Sequence, residues 1–202
     1  MKSFAHVISS VFQPLLMPVY SVALLFVYTY FRLIYSNHFF GVVLPVIIFS
    51  FAVPAALIYL MYRFKLISDL SLKVRKERFL PYIATLLSYS IMIFYYARMQ
   101  MPLWFLMLCG SSIMVMLIAT IITIWWKISA HMIGVGGLAG GVLGISYFVE
   151  GTNPFQMFIA LFIIAGLVGT SRLILQRHTP AQVYAGFTLG CVLTFCSIWL
   201  TA

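Results

Sequence analysis

The sequence predicts an all-α fold, a polytopic bundle of about seven transmembrane helices, on three observations. Of 202 residues, 64% are hydrophobic and only 7% charged, whereas a soluble domain carries roughly 25% charged residues to cover its wet surface. The mean hydropathy is +1.10. The apolar residues fall in long unbroken runs, the pattern of helices in lipid, and not in the short alternating segments of an outer-membrane barrel. Together these exclude a soluble enzyme, a nucleic-acid-binding module and a disordered chain. The net charge of +9, from 12 Lys+Arg against 3 Asp+Glu, then reports topology and an anionic ligand rather than nucleic acid.

A spanning helix needs about 20 apolar residues. The runs place spans at 15–35, 41–62, 80–98, 102–126, 131–149, 155–176 and 181–201, forming a single membrane domain over 1–202. The first dozen residues read as a short interfacial segment. Pro14 and Pro18 punctuate the start of the first run, and no small-x-small cleavage site leads into a polar region, so the chain is expected to be uncleaved. Pro45 and Pro54 lie inside the second run and predict a kink. Pro81, Pro102 and Pro180 stand at segment starts, where a missing N–H costs little. Residues 63–79 form the one sizeable polar loop. Cys109, Cys191 and Cys196 sit in apolar stretches without metal-ligand spacing and read as packing residues. The run Gly134, Gly136, Gly137, Gly140, Gly141 and Gly144 reads as a surface for close helix packing. Trp104, Trp125, Trp126 and Trp199 read as interface anchors.

Seven spans put alternate loops on opposite sides. Lys2, Arg63, Lys65, Lys73, Arg75, Lys76, Arg78, Lys127, Arg172 and Arg177 fall on one side, ten in all, against Arg32 and Arg98 on the other. The positive-inside rule makes the first side cytoplasmic, in a cell inner (plasma) membrane. The bias survives removal of the three arginines assigned below to a ligand, at seven against two.

Three polar clusters interrupt the apolar chain, and all fall on that same side. The first is Lys73, Arg75, Lys76, Arg78 and Pro81; the second Ser129-Ala130-His131; the third Ser171-Arg172 with His178-Thr179-Pro180. Arginine forks match phosphate oxygens. Two histidines can divide the work of nucleophile and general acid. Thr179 followed by Pro180 has the form of an N-cap and first helical residue. Arg172 lies a turn inside an apolar segment, where a cation is costly and marks function. His6 and His38 read as incidental.

These clusters resemble the three motifs of the type-2 phosphatidic acid phosphatase superfamily, which includes bacterial acid phosphatases and vanadium haloperoxidases. Its motifs are Lys-x6-Arg-Pro, Pro-Ser-Gly-His and Ser-Arg-x5-His-x3-Asp. The third matches best, as Ser171-Arg172, five residues, then His178. The second stands as Ile128-Ser129-Ala130-His131. The first is degraded: Phe79-Leu80 separate Arg78 from Pro81, and Ser71 holds the lysine position. The resemblance covers roughly residues 73–190. It implies a six-helix phosphatase core plus one helix, with the motif-bearing part at about 63–201.

By the same resemblance, His178 is the nucleophile that forms a phosphohistidine, and His131 protonates the leaving oxygen. Arg78 and Arg172 hold the phosphoryl oxygens, helped by Ser129, the amide of Ala130, and Ser171. If 71–78 is helical, residues 71, 75 and 78 share a face, so Arg75 could replace the absent lysine. No cofactor or metal is required. The family's aspartate falls at Gln182, which can accept the His178 Nδ1–H and orient the ring but contributes no charge; Asp69 and Glu77 are candidate substitutes. The implied activity is hydrolysis of a lipid phosphomonoester or diphosphate, with phosphatidic acid, phosphatidylglycerol phosphate and an isoprenyl diphosphate as candidate substrates. The rival readings are a non-catalytic lipid-phosphate binder and a small flippase or transporter.

Overall fold

The computed structural model describes residues 1–70 and 76–201. It is an all-α bundle with seven helical stretches long and apolar enough to cross a membrane: Lys2–Tyr28, Phe31–Arg63, Phe79–Arg98, Leu103–Trp125, Ala130–Val149, Phe155–Ile174 and Pro180–Trp199. The first two are compound. Helix α1 (Lys2–Val11) and α2 (Met17–Tyr28) are joined through a 3-10 turn at Pro14–Leu16. Helices α3 (Phe31–Tyr35), α4 (Phe39–Val46) and α5 (Val53–Arg63) make up the second. The other five begin with α6 (Phe79–Arg98), α7 (Leu103–Trp125), α8 (Ala130–Gly144), α9 (Phe155–Ile174) and α10 (Pro180–Trp199).

Three features differ from the sequence expectation. The first dozen residues are not a separate interfacial segment: α1 extends the first span and packs along α9. Its pattern explains this. Ala5 and Ser9, four apart on one helical face, are 1% and 8% exposed, while Phe4, Val7 and Val11 point outward, which suits a lipid surround. The first span ends at Tyr28 rather than near residue 35. The Thr29 hydroxyl donates to the Leu25 carbonyl at 2.7 Å and accepts from the Phe31 amide at 3.1 Å, so one side chain closes α2 and opens α3.

The third difference is the form of the disturbance between Pro45 and Pro54. It is a π-helical turn, Ile47–Ala52. In a π register the carbonyl facing residue 54 is that of Phe49, and proline has no N–H to give it. Ser88 Oγ on α6 donates to that carbonyl at 2.6 Å. The irregular turn is therefore satisfied by a neighbouring helix, as non-helical backbone at membrane depth must be.

Helix α8 is the central element and packs most extensively on α10. Glycines let the two backbones meet. A Cβ at Gly136 or Gly140 would run into the carbonyls of Phe187 and Cys191, and one at Gly190 into the carbonyl of Ile133. Close approach of this kind drives helix association in lipid, where burial of apolar area supplies no force. The bundle half that holds the 29–38, 99–102 and 150–154 connections has an aromatic core. Phe31 stacks on Phe105 at 5.4 Å, and Tyr96 meets Phe105 edge-on at 5.1 Å. The Tyr96 hydroxyl donates to the Val42 carbonyl at 2.6 Å. The opposite half is hollow.

Candidate functional site

The hollow is a cavity of about 590 Å³ opening at the end of the bundle where α5, α7 and α9 finish and α6, α8 and α10 begin. Arg78, Lys127, Ala130, His131, Arg172, Arg177 and His178 line its polar end. Among the described residues, no aspartate or glutamate lines it.

His178 is held by the start of α10. Gln182, three residues after the N-cap Thr179, turns its Oε1 back to accept the Thr179 amide at 3.2 Å, one half of a capping box. The same oxygen lies 3.1 Å from His178 Nδ1, and the Lys127 carbonyl lies 3.3 Å from it. Both oxygens can only accept, so Nδ1 carries the proton and Nε2 carries a lone pair. Burial first, and then the positive charge of Arg172, push the His178 imidazolium down to about 4, against the opposing pull of the Gln182 and Lys127 hydrogen bonds. The ring is neutral at pH 7. Lys127 is itself held below the usual lysine range, by burial and by Arg78, Arg177 and Arg172. These four cations share one field.

His131, one residue into α8, places Nε2 3.1 Å from the carbonyl of Ser9. A carbonyl cannot donate, so Nε2–H donates to it and Nδ1 is left to exchange a proton. Arg172, in the last turn of α9, donates from Nη1 to Ser9 Oγ at 3.3 Å. Its Nε is buried without a partner. A buried unsatisfied guanidinium donor costs free energy that an anionic oxygen would recover.

The cavity brings together residues from all three clusters: Arg78, Ala130, His131, Arg172 and His178, with Gln182 behind His178. Two expected phosphate ligands stand elsewhere. Ser129 is fully buried off the cavity wall, where its amide donates to the Gln182 carbonyl at 3.4 Å. The Ser171 hydroxyl donates to the Leu167 carbonyl of its own helix at 2.7 Å, as a hydroxyl in an apolar span commonly does. Arg75 lies outside the described residues. Of the substitutes for the missing aspartate, Glu77 Oε2 accepts both the amide and the hydroxyl of Ser68 at 2.9 Å, and neither Glu77 nor Asp69 lines the cavity.

Sequence reasoning missed His6, Ser9 and the site role of Lys127 and Arg177, all of which line the cavity. The signal for Ser9 was a polar residue on the inward stripe of α1. Lys127 and Arg177 also fit the positive-inside bias, which hides their place at the site. Among the described residues, no three His, Cys, Asp or Glu side chains gather as a metal-binding group. The arrangement can hold an anion and present a neutral imidazole nitrogen to it. No protein-family model, curated protein or solved structure matches the chain.

Proposed function

We propose that this protein is an integral-membrane lipid-phosphate phosphatase that works through a phosphohistidine on His178, in the manner of the superfamily its motifs resemble. The observation that carries the reading is the tautomer of His178. Nδ1–H is held by Gln182 Oε1 and the Lys127 carbonyl, so the lone pair is on Nε2, in a cavity whose polar end is cationic.

The phosphoryl oxygens are held by Arg172 and Arg78, in the field of Lys127 and Arg177. His178 Nε2 attacks phosphorus, the P–O bond to the lipid breaks, and the leaving oxygen takes the Nδ1 proton of His131, which enters this step as the imidazolium and leaves it neutral with Nε2–H still on the Ser9 carbonyl. Water then attacks the phosphohistidine. The P–N bond breaks, His131 takes the water's proton, and inorganic phosphate leaves. Water is the second substrate, and phosphatidic acid, phosphatidylglycerol phosphate and an isoprenyl diphosphate are the candidate first substrates. The Lys/Arg bias supports a site at the cytoplasmic face of the cell's inner membrane.

The test is release of inorganic phosphate from these lipids by the purified protein, with His178→Ala alongside. Release that disappears in the variant supports the reading. Binding without release, unchanged by His178→Ala, overturns it in favour of a non-catalytic lipid-phosphate binder. That rival has one observation behind it: Gln182 orients His178 but adds no negative charge to stabilise a cationic ring. The transporter reading predicts that cysteines placed along the cavity become accessible from either face in turn, which labelling tests.

A further inference from the structure

The cavity does not stop at the cations. From Arg78 it continues along α6 as far as Tyr89, and along α7 from Ala119 to Leu108. Eleven residues of helix rise about 16 Å, which is about half of a 30 Å hydrocarbon core. Val115, Leu138 and Thr194 form other deep walls. Two of the hydroxyls on this stretch are turned to their own helices: Thr85 donates to the Pro81 carbonyl at 2.8 Å and Ser111 to the Leu108 carbonyl at 2.7 Å. The rest of the depth is mostly aliphatic, with Leu108, Val115, Met116, Ala119 and Leu138 beside the hydroxyls of Tyr89, Ser112 and Thr194, and beyond it the Phe31–Phe105–Tyr96 packing closes the floor. At the open end His6, Ser10, Tyr59 and Leu70 are exposed, giving a lateral doorway between α1, α5 and the 64–70 loop.

We infer that the hydrocarbon chain of the phosphate ligand is seated inside the bundle, so that the ligand is a lipid phosphate or diphosphate engaged through one chain. This rests on reading the polar end as a phosphate site. It deepens that reading by naming what lies behind the phosphate. The cationic mouth and the apolar depth belong to one continuous cavity, and a buried, unpartnered Arg172 Nε lies at the mouth. A headgroup bound there lays its first carbons at the entrance of the depth. A volume near 590 Å³ falls within the roughly 300–1,000 Å³ of pockets that enclose one drug-sized molecule. A two-chain lipid must leave a chain outside, through the doorway. Single-chain substrates, an isoprenyl diphosphate or a lysophosphatidate, are thus preferred over phosphatidic acid.

The experiment is photo-labelling in phosphatidylcholine vesicles with a dodecylphosphonate that carries a diazirine at its chain end and cannot be hydrolysed. The expected result is labelling of the inward residues between Leu108 and Val115, competed by unlabelled dodecylphosphonate but not by dodecanol. Ser112, a partly buried wall residue, gives the blocking variant. Ser112→Phe should abolish the labelling, while helix content and binding of inorganic phosphate stay as in the wild type. Val115→Ala, which enlarges the depth, should keep it. Labelling confined to outward residues such as Leu117 and Ile121, equal competition by dodecanol, or indifference to Ser112→Phe overturns the inference. Inward labelling by a protein that releases no phosphate from any lipid overturns the phosphatase reading and leaves this one standing.

Discussion

The two imidazoles at the polar end of the cavity have their tautomers set by oxygen acceptors, His178 through Gln182 and Lys127, and His131 through Ser9. A fall to about 4 for His178, against 6.5 for the free side chain, means that the proposed nucleophile stays neutral well into acid. The acid limb of kcat/KM that belongs to His178 should therefore lie near pH 4, where the free enzyme loses its lone pair. Stability follows the same sign: the unfolded chain takes up this proton first, so the contribution is lost as pH falls from about 6.5 towards 4. Gln182→Glu keeps both the reach and the Thr179 cap and adds the missing charge. It should move the acid limb towards neutrality and raise kcat by about tenfold or more, a fraction of what an orienting aspartate contributes in a serine protease, because the tautomer is already right. A pH–rate profile of the pair checks both. Ser9→Ala removes the hydroxyl that aims Arg172 but not the carbonyl on His131. KM should rise by about tenfold with kcat nearly kept, from the 1.5–3 kcal/mol of a charged hydrogen bond, and Ser9→Thr should restore it. The Gln182–His178 relation was legible in sequence because it is local, four residues along one helix. Ser9 was not, since its partners stand 122 and 163 residues away and leave no mark on the local pattern.

Among the elements, the contact of α8 with α10 positions the site, because His131 opens one helix and His178 and Gln182 open the other. Gly140→Ala or Gly190→Ala forces a methyl onto a carbonyl of the partner helix. Overpacking of this kind costs about 1–3 kcal/mol, and here it should also weaken phosphate binding, since the two helix starts must separate. Gly166→Ala on α9 meets nothing within 4 Å and should be neutral or stabilising by about 0.5–1 kcal/mol. Thermal unfolding in detergent, with phosphate binding read on the same samples, separates the two cases. The glycine stripe was readable as a packing surface, but its partner was not, because Gly186 and Gly190 lie in a segment whose own pattern is ordinary. The prolines of the second span announced a disturbance. That it takes a π register depends on Ser88, which no reading of residues 45–54 alone contains.

The whole molecule is hollow and cationic in one half and packed with aromatic rings in the other. Its seven spans were legible because hydropathy is a local property summed over about 20 residues. The cavity was not, because a void is defined by residues from several spans whose spacing only packing sets. The charge bias gives a prediction at this scale. A cysteine at Ser68 should react with a membrane-impermeant maleimide only from the cytoplasmic face, and one at Thr201 only from the opposite face. The reverse pattern would put the site outside and redirect the substrate search to lipids presented there. The reach of Ser9 to Arg172 has a consequence in time as well. Chains are made from the N-terminus, so Ser9 waits for a segment 163 residues further along to be threaded before it meets Arg172. An intermediate threaded only as far as α8 therefore has no assembled cationic centre.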